Sequence, residues 1–565
     1  IGASKMGNKI NNDDLSHKTT ESILGPNPVI GAPTRDLIST ARMVLRQTVK
    51  QPVHSLKHIG RLGMAVTDVM IGRSEIAPTP EDRRFVDPTW NQNPVYRRYM
   101  QTYLAWRKEL NTWITTANLP EQDVSRAQFV ISLMTEAMSP TNTALNPAAL
   151  KRFFETGGKS LLDGLTHLAQ DIAHNGGMPS QVNMNAFEVG GNLAITKGSV
   201  VFRNEVLELI QYKPLTEEVY ERPVLVVPPQ INKFYVFDLS PEKSLARYLS
   251  VSHMQTFVVS WRNPTKSHRE WGLSTYIQAL KDAIDVVLKI TGSKDLSMLG
   301  ACSGGITTVS LLGHYAALKE KKVHSFTLLV SVLDTQIKTQ VALFADERSI
   351  EAARRLSYQK GVLEGRDMAK IFAWMRPNDL VWNYWVNNYL LGNEPPVFDI
   401  LFWNNDTTRL PAALHGEFLE MFKSNPLTKP GALEVCGTPI DLKQVKSDFF
   451  VIAGLNDHIT PWEACYKSAR LLGGKCEFVL SSSGHIQSIL NPPGNPKARF
   501  FTNSEMTDDS TKWLETATKQ SDSWWQHWRD WLHTRGGKRK PAPELLGNEE
   551  YPALEPAPGT YVHER

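Results

Sequence analysis

The feature that most constrains this chain is a change of pattern near residue 200. From there to about residue 480, short runs rich in β-branched and apolar residues alternate with amphipathic helical stretches. The runs are 206–212, 224–227, 256–260, 296–299, 326–330, 449–453 and 477–480. Strands separated by helices cannot pair as tight hairpins, so they specify βαβ crossovers and a parallel sheet with both faces covered. One intervening stretch shows the helical period clearly, because Leu273, Tyr276, Ile277, Leu280, Ile284, Val287 and Leu288 fall on one face.

A chain of 565 residues exceeds one ordinary compact core. The pattern predicts a mainly helical N-terminal domain over 1–200, an α/β domain over 201–505, and a Trp-rich helix with an extended tail over 506–565. Residues 1–5 stand ahead of Met6, the expected start, and are left out of the fold reading. The gap between the runs at 326–330 and 449–453 is far longer than one crossover helix requires. An inserted lid or cap at about 335–445 is expected, with Trp374, Trp382, Trp385 and Trp403 as its aromatic content. Trp524, Trp525, Trp528 and Trp531 form an aromatic helix face, expected to dock on the core, with an exposed contact surface as the competing reading. After Gly536 the sequence turns Pro-rich and predicts an extended tail.

Composition excludes several classes. With 41% hydrophobic residues, 21% charged residues and a net charge of +4, nothing argues for a nucleic-acid partner. Lys538, Arg539 and Lys540 form the one basic cluster, too short to read as more than a solvated loop. The four cysteines, Cys302, Cys436, Cys465 and Cys476, lack CxxC spacing, which argues against a disulfide framework and against zinc and favours a reducing compartment. The first thirty residues lack the apolar core of a signal peptide, and no stretch has the apolar length of a membrane span. A cytoplasmic protein is expected.

The chemistry begins at Gly300-Ala301-Cys302-Ser303-Gly304-Gly305, directly after one apolar run and before the helical stretch 306–318. This is the pattern of a nucleophile elbow, the sharp strand-to-helix turn of the α/β-hydrolase fold, with sulfur in place of oxygen. The glycines suit it, because neighbouring side chains would clash in so tight a turn. A cysteine merely buried in a Gly-rich turn is the bland alternative. The ordered partners decide against it. In this fold the nucleophile is followed along the chain by an acid and then a histidine. Asp457 lies just past the run 449–453, and His485 just past the run 477–480, so both are expected at one sheet edge. His458 also neighbours Asp457 but precedes the last strand and fits the base position poorly. Ser303 is expected to offer its backbone N–H to an oxyanion. Pro228 and Pro229 lack an N–H, so a second donor falls to Gln230, Ile231 or Asn232, with Ile231 carried as the candidate.

A thiolate exchanges acyl groups with thioesters at near energetic balance, which suits repeated transfer better than hydrolysis. The three active-site segments, 300–305, 454–462 and 483–495, resemble those of the polyhydroxyalkanoate synthases, and segments 82–85 with 93–94, 260–264, 403–411 and 522–525 agree. Together with the terminus 556–565 they most resemble the class II, Pseudomonas-type members that prefer medium-chain monomers. The resemblance implies an α/β-hydrolase fold with an inserted lid and a helical N-terminal domain. It implies an acyltransferase that polymerises (R)-3-hydroxyacyl-CoA into polyester with release of CoA, through an acyl-cysteine formed by Cys302, Asp457 and His485. It further implies a homodimer on cytoplasmic polyester granules beside phasin-type proteins, with no metal and no bound organic cofactor, coenzyme A entering only as part of the substrate. Glu136, Ser331, Ser483 and Gln487 are implied as pocket residues; the last two also flank His485 directly. The rival readings are a thioesterase or esterase using the same triad with water, an exported polyester depolymerase, and a non-catalytic granule scaffold. For a synthase, the aromatic insert is expected to cover Cys302 at the end of an apolar pocket and keep it dry, widening to release polymer.

Overall fold

The computed structural model describes residues 42, 46, 50–80, 82–336, 347–375 and 377–565. The reading of residues 1–5 and the Trp374 side chain lie outside the described residues. The alternating pattern builds one 11-stranded sheet. In chain order its strands are β1 (Gly198–Arg203), β2 (Leu207–Tyr212), β3 (Val224–Val227), β4 (Thr256–Trp261), β5 (Leu296–Ala301), β6 (Val323–Leu329), β7 (Asp448–Gly454), β8 (Cys476–Ser481), β9 (Arg499–Thr502), β10 (Thr518–Ser521) and β11 (Glu555–Pro556). Across the sheet they run β10-β9-β8-β7-β6-β5-β3-β4-β2-β1-β11. The six central strands from β4 to β8 are parallel, and antiparallel strands complete both edges.

Every residue of β3, β4 and β5 is buried, as a sheet covered on both faces demands. The period of two sorts their side chains between two apolar layers: Leu225 and Val227 enter one, Val224 and Val226 the other. Helix Leu273–Thr291 fills the first layer with Leu273, Tyr276, Ile277, Leu280, Ile284 and Val287, and Leu288 at its rim is half-buried. Helix Trp524–His533 fills the second. Trp524 and Trp528 are fully buried and Trp525 and Trp531 nearly so, which settles the aromatic face as docked on the core. Three of these indole N–H groups find acceptors: Trp524 on Ser488 O at 2.8 Å, Trp525 on Ile489 O at 3.2 Å and Trp528 on Thr327 Oγ1 at 2.8 Å.

The N-terminal part is helical, with Pro52–Met70, Pro94–Thr115, Glu121–Ala137, Pro147–Glu155 and Lys159–His174 as its longer elements. It has small apolar clusters of its own, around Phe85, Trp90 and Tyr103 and around Trp113 and Ile131. Helix Lys159–His174 meets the π-helical turn Trp385–Leu390 of the insert: Asp171 Oδ2 accepts the Tyr389 hydroxyl at 2.6 Å, and Gly164 packs on the Tyr389 carbonyl where a Cβ would not fit. The tail is more than an extended strip. Arg539–Pro541 pairs with Glu218–Tyr220, and β11 closes the sheet edge against β1. Edge pairings of two or three residues, one of them proline, carry no periodicity and could not be read from the sequence. Among the described residues no helix is long and apolar enough to cross a membrane.

Trp528 joins the C-terminal helix to the middle of the sheet. Trp528→Ala should lower the unfolding free energy by about 3–5 kcal/mol, as for a large buried aromatic cut to alanine. Urea denaturation of native and variant protein measures it.

Candidate active site

β5 runs through the core and stops abruptly at Cys302, whose φ of 51° and ψ of −118° lie where non-glycine residues are strained. Helix Ser303–Leu318 starts at once. The turn is held from three sides. Cys302 N–H donates to Leu329 O at 2.9 Å, Gly305 N–H donates to Cys302 O at 3.0 Å, and the Ser331 hydroxyl donates to Cys302 O at 3.2 Å. Gly304 is obligatory, since a Cβ there would come within 2.8 Å of the Pro228 carbonyl carbon. Cys302 itself is 6% exposed.

The loop after β3 lies across this elbow. Ser303 Oγ donates to Gln230 Oε1 at 2.8 Å and accepts Gln230 N–H at 3.3 Å, and Gln230 Nε2 donates to Thr307 Oγ1 at 2.7 Å. The Gln230 N–H is therefore already engaged, while Ile231 is 2% exposed and Asn232 turns the chain with φ of 66°. The insert clamps the same loop from outside. Trp403 Nε1 donates to Lys233 O at 2.7 Å, Thr408 Oγ1 donates to Gln230 O at 3.3 Å, and Asp406 takes Lys233 Nζ and the Tyr235 hydroxyl, each at 2.9 Å. The aromatic insert divides its tryptophans: Trp403 faces this loop, whereas Trp385 donates to Asn142 O at 3.1 Å in the N-terminal part.

β7 and β8 deliver the remaining two groups. Asp457 Oδ2 accepts His485 Nδ1 at 2.6 Å, with both side chains almost completely buried. His485 begins the short helix His485–Ile489, whose last carbonyls are those gripped by Trp524 and Trp525. Cys302 is also a side-chain hydrogen-bond partner of His485. Burial alone would lower the His485 pKa, but the Asp457 charge and hydrogen bond, together with Cys302, outweigh it and push the value up to about 10. The arrangement can take the thiol proton and hold it. His458 is exposed at the surface, outside this line of contacts.

The comparisons with known proteins agree with this geometry. A family model described as "alpha/beta hydrolase fold" matches residues 223–492, and one described as "Poly-beta-hydroxybutyrate polymerase (PhaC) N-terminus" matches residues 81–249. The chain is 70% identical to Poly(3-hydroxyalkanoate) polymerase 1 of Ectopseudomonas oleovorans over 99% of this chain and 100% of that one. The chain belongs to the poly(3-hydroxyalkanoate) polymerase family. A second polymerase of that organism is 55% identical over 95% of this chain and 96% of its own, and the Cupriavidus necator polymerase subunit PhaC is 38% identical over 94% and 91%. The identity to the Ectopseudomonas oleovorans enzymes bears out the class II resemblance, and the protein is a transferase on the α/β-hydrolase fold read from the sequence.

Within this polymerase the four other implied residues fall in different surroundings. Ser331 is 1% exposed and bonded to the elbow backbone, so its hydroxyl supports the turn. Ser483 and Gln487 are half-buried on either side of His485. Glu136 sits in helix Glu121–Ala137, where burial raises its carboxyl above the usual range, with Arg84 pulling down and Asp379 pushing up. Its neighbours belong to the junction of the N-terminal part and the insert. Sequence reasoning missed Thr460, which contacts both Asp457 and His485. Its signal was present as a threonine three residues after the aspartate, the spacing of a side chain folding back on a turn.

A histidine whose folded pKa is raised stabilises the fold fully below its unfolded value near 6.5, and that contribution is lost as pH climbs through about 10. The unfolding free energy of the native enzyme should therefore fall across this window. In His485→Gln the decline should flatten, read from urea titrations at a series of pH values.

Proposed function

We propose that the enzyme moves (R)-3-hydroxyacyl groups from coenzyme A thioesters onto Cys302 and then onto the hydroxyl end of a growing polyester. The reading is carried by one observation: a strained elbow cysteine within reach of a buried histidine whose Nδ1 is bonded to Asp457 at 2.6 Å. His485 accepts the thiol proton as the sulfur attacks the thioester carbonyl. The tetrahedral oxyanion is received by the Ser303 N–H and by a donor of the loop beyond the engaged Gln230 N–H, with Ile231 N–H as the candidate. Collapse breaks the bond to coenzyme A, whose thiolate leaves with the proton from His485. The hydroxyl at the end of the growing chain then gives its proton to His485, its oxygen attacks the acyl-cysteine, an ester forms as the carbon–sulfur bond breaks, and the Cys302 thiolate recovers the proton.

The buried position of Cys302 and the loop clamped between elbow and insert support a dry site, in which the 3-hydroxyl outcompetes water. The resemblance to class II members supports medium-chain monomers. It equally supports a homodimer working in the cytoplasm at granule surfaces with phasin-type proteins, and a reaction that needs no metal and no bound organic cofactor.

The test is purified enzyme with medium- and short-chain (R)-3-hydroxyacyl-CoA, following free thiol and insoluble polymer together. Faster polymer from medium-chain substrate is expected, and free 3-hydroxy acid without polymer would replace the synthase with a thioesterase. Cys302→Ala should abolish acyl labelling while the fold persists. Asp457→Asn should slow elongation more than the first acylation; equal slowing would reduce Asp457 to orienting the histidine.

A further inference from the structure

The acid of this site is crowded. Asp457 Oδ1 accepts the backbone N–H groups of Ile459 at 2.9 Å and Thr460 at 3.0 Å. Its Oδ2 accepts two donors at once, His485 Nδ1 and the Thr460 hydroxyl, both at 2.6 Å. Thr460 Oγ1 also lies 3.1 Å from His485 Nδ1. The Thr460 residue is 5% exposed, so no solvent replaces its hydroxyl. One side chain thus touches both the acid and the base, and the reaction sequence above gives it no task.

We infer that Thr460 is a positioning residue that shares Asp457 Oδ2 with His485 and thereby sets how firmly the imidazole holds its proton. The inference rests on the proposed roles of Cys302, Asp457 and His485. Two effects of the hydroxyl compete. As a donor to Oδ2 it draws off carboxylate charge that would otherwise stabilise the imidazolium. As an acceptor from Nδ1–H it stabilises the imidazolium itself. The first is a short, charge-assisted bond and the second a longer contact between Nδ1–H and a neutral oxygen, so the first dominates. Removing the hydroxyl therefore tightens the grip of His485 on its proton. Acylation tolerates a tight grip, since it starts with the imidazole already holding the thiol proton and coenzyme A is a good enough leaving group to depart as thiolate and collect that proton afterwards. Elongation does not, because the imidazole must be free to accept the proton of the 3-hydroxyl.

The other titratable groups around the pair leave this balance to Thr460. Cys302 faces His485 from the elbow. Cys465, on helix Trp462–Ala469, donates to Thr460 O at 3.6 Å; burial and the Asp457 charge push its thiol well above its ordinary range, so it stays neutral. Glu463 and His458 are exposed and screened by solvent.

The experiment compares single-turnover acylation by a medium-chain (R)-3-hydroxyacyl-CoA with steady-state polymer growth, each as a function of pH. In Thr460→Val, acylation should keep its plateau while its basic limb moves up by about one pH unit. Elongation at neutral pH should be roughly tenfold slower. Thr460→Ser, which restores the hydroxyl without the methyl, should return both to native values. A basic limb that stays in place or moves down in Thr460→Val, or equal slowing of both steps in Thr460→Val and Thr460→Ser, would assign the residue to packing and overturn the inference. If Thr460→Val does not fold, Thr460→Ala against Thr460→Ser isolates the same hydroxyl with the same expected difference. Cys302→Ala separates the two levels: acylation surviving there removes the triad and this inference with it, whereas an inert Cys302→Ala beside a native-like Thr460→Val overturns this inference alone.

Discussion

The site depends on a single backbone conformation, the positive φ of Cys302. Such a residue costs on the order of 1–3 kcal/mol and persists only where its surroundings over-determine it. Here three parallel strands contribute. β5 brings the cysteine, the end of β6 supplies Leu329 O as the acceptor for its N–H, and the end of β3 carries the Pro228 carbonyl against which Gly304 packs. No one of them could be removed without freeing the turn to relax. The restraint explains why Cys302 stands at the carboxyl ends of the parallel strands, where the chain leaves the sheet and neighbouring strand ends can hold it.

The base is held by a different layer. His485 opens a helix of one and a half turns, too short to be stable alone. Its far end is fixed by the indoles of Trp524 and Trp525, which lie more than thirty residues further along the chain. The C-terminal helix therefore does more than fill volume. It satisfies carbonyls that end the His485 helix and so fixes the direction from which the imidazole approaches Asp457 and Cys302. The elbow is held by the sheet and the His485 helix by the docked aromatic helix, which ties the C-terminal segment to the position of His485.

Much of this was legible in the sequence because it rests on local pattern. The seven strand runs, the helix face from Leu273 to Leu288 and the order Cys302, Asp457, His485 are periodicity and spacing, which survive without coordinates. β1, β9, β10 and β11, the outer antiparallel strands, were not read from the sequence, and β9, β10 and β11 have only two to four residues each, set by their partners rather than by their own pattern. The same holds at the site. Thr460 and the Gln230 side chain act through hydrogen bonds whose partners lie in distant strands or in a turn of unknown shape, and no composition marks a threonine that touches a histidine. The tryptophans of the insert were visible as a group, but their division between the N-terminal part and the elbow loop was not.

That division bears on how the insert is tied to the loop that lies across the elbow. Lys233 and Asp406 form an ion pair with side chains only 6% and 18% exposed, and the Trp403 indole bonds the carbonyl of the same lysine. Separating a pair so buried leaves charges without partners, at a cost of roughly 3–5 kcal/mol when one partner is lost. The stretch that includes Trp403, Asp406 and Thr408 is consequently fixed firmly to the loop after β3. Swinging it outward would break the bonds to Gln230 O and Lys233 O, which hold the loop that lies across the elbow. The insert is thus tied at two places, through Trp403, Asp406 and Thr408 to the loop after β3 and through Tyr389 and Trp385 to the N-terminal part.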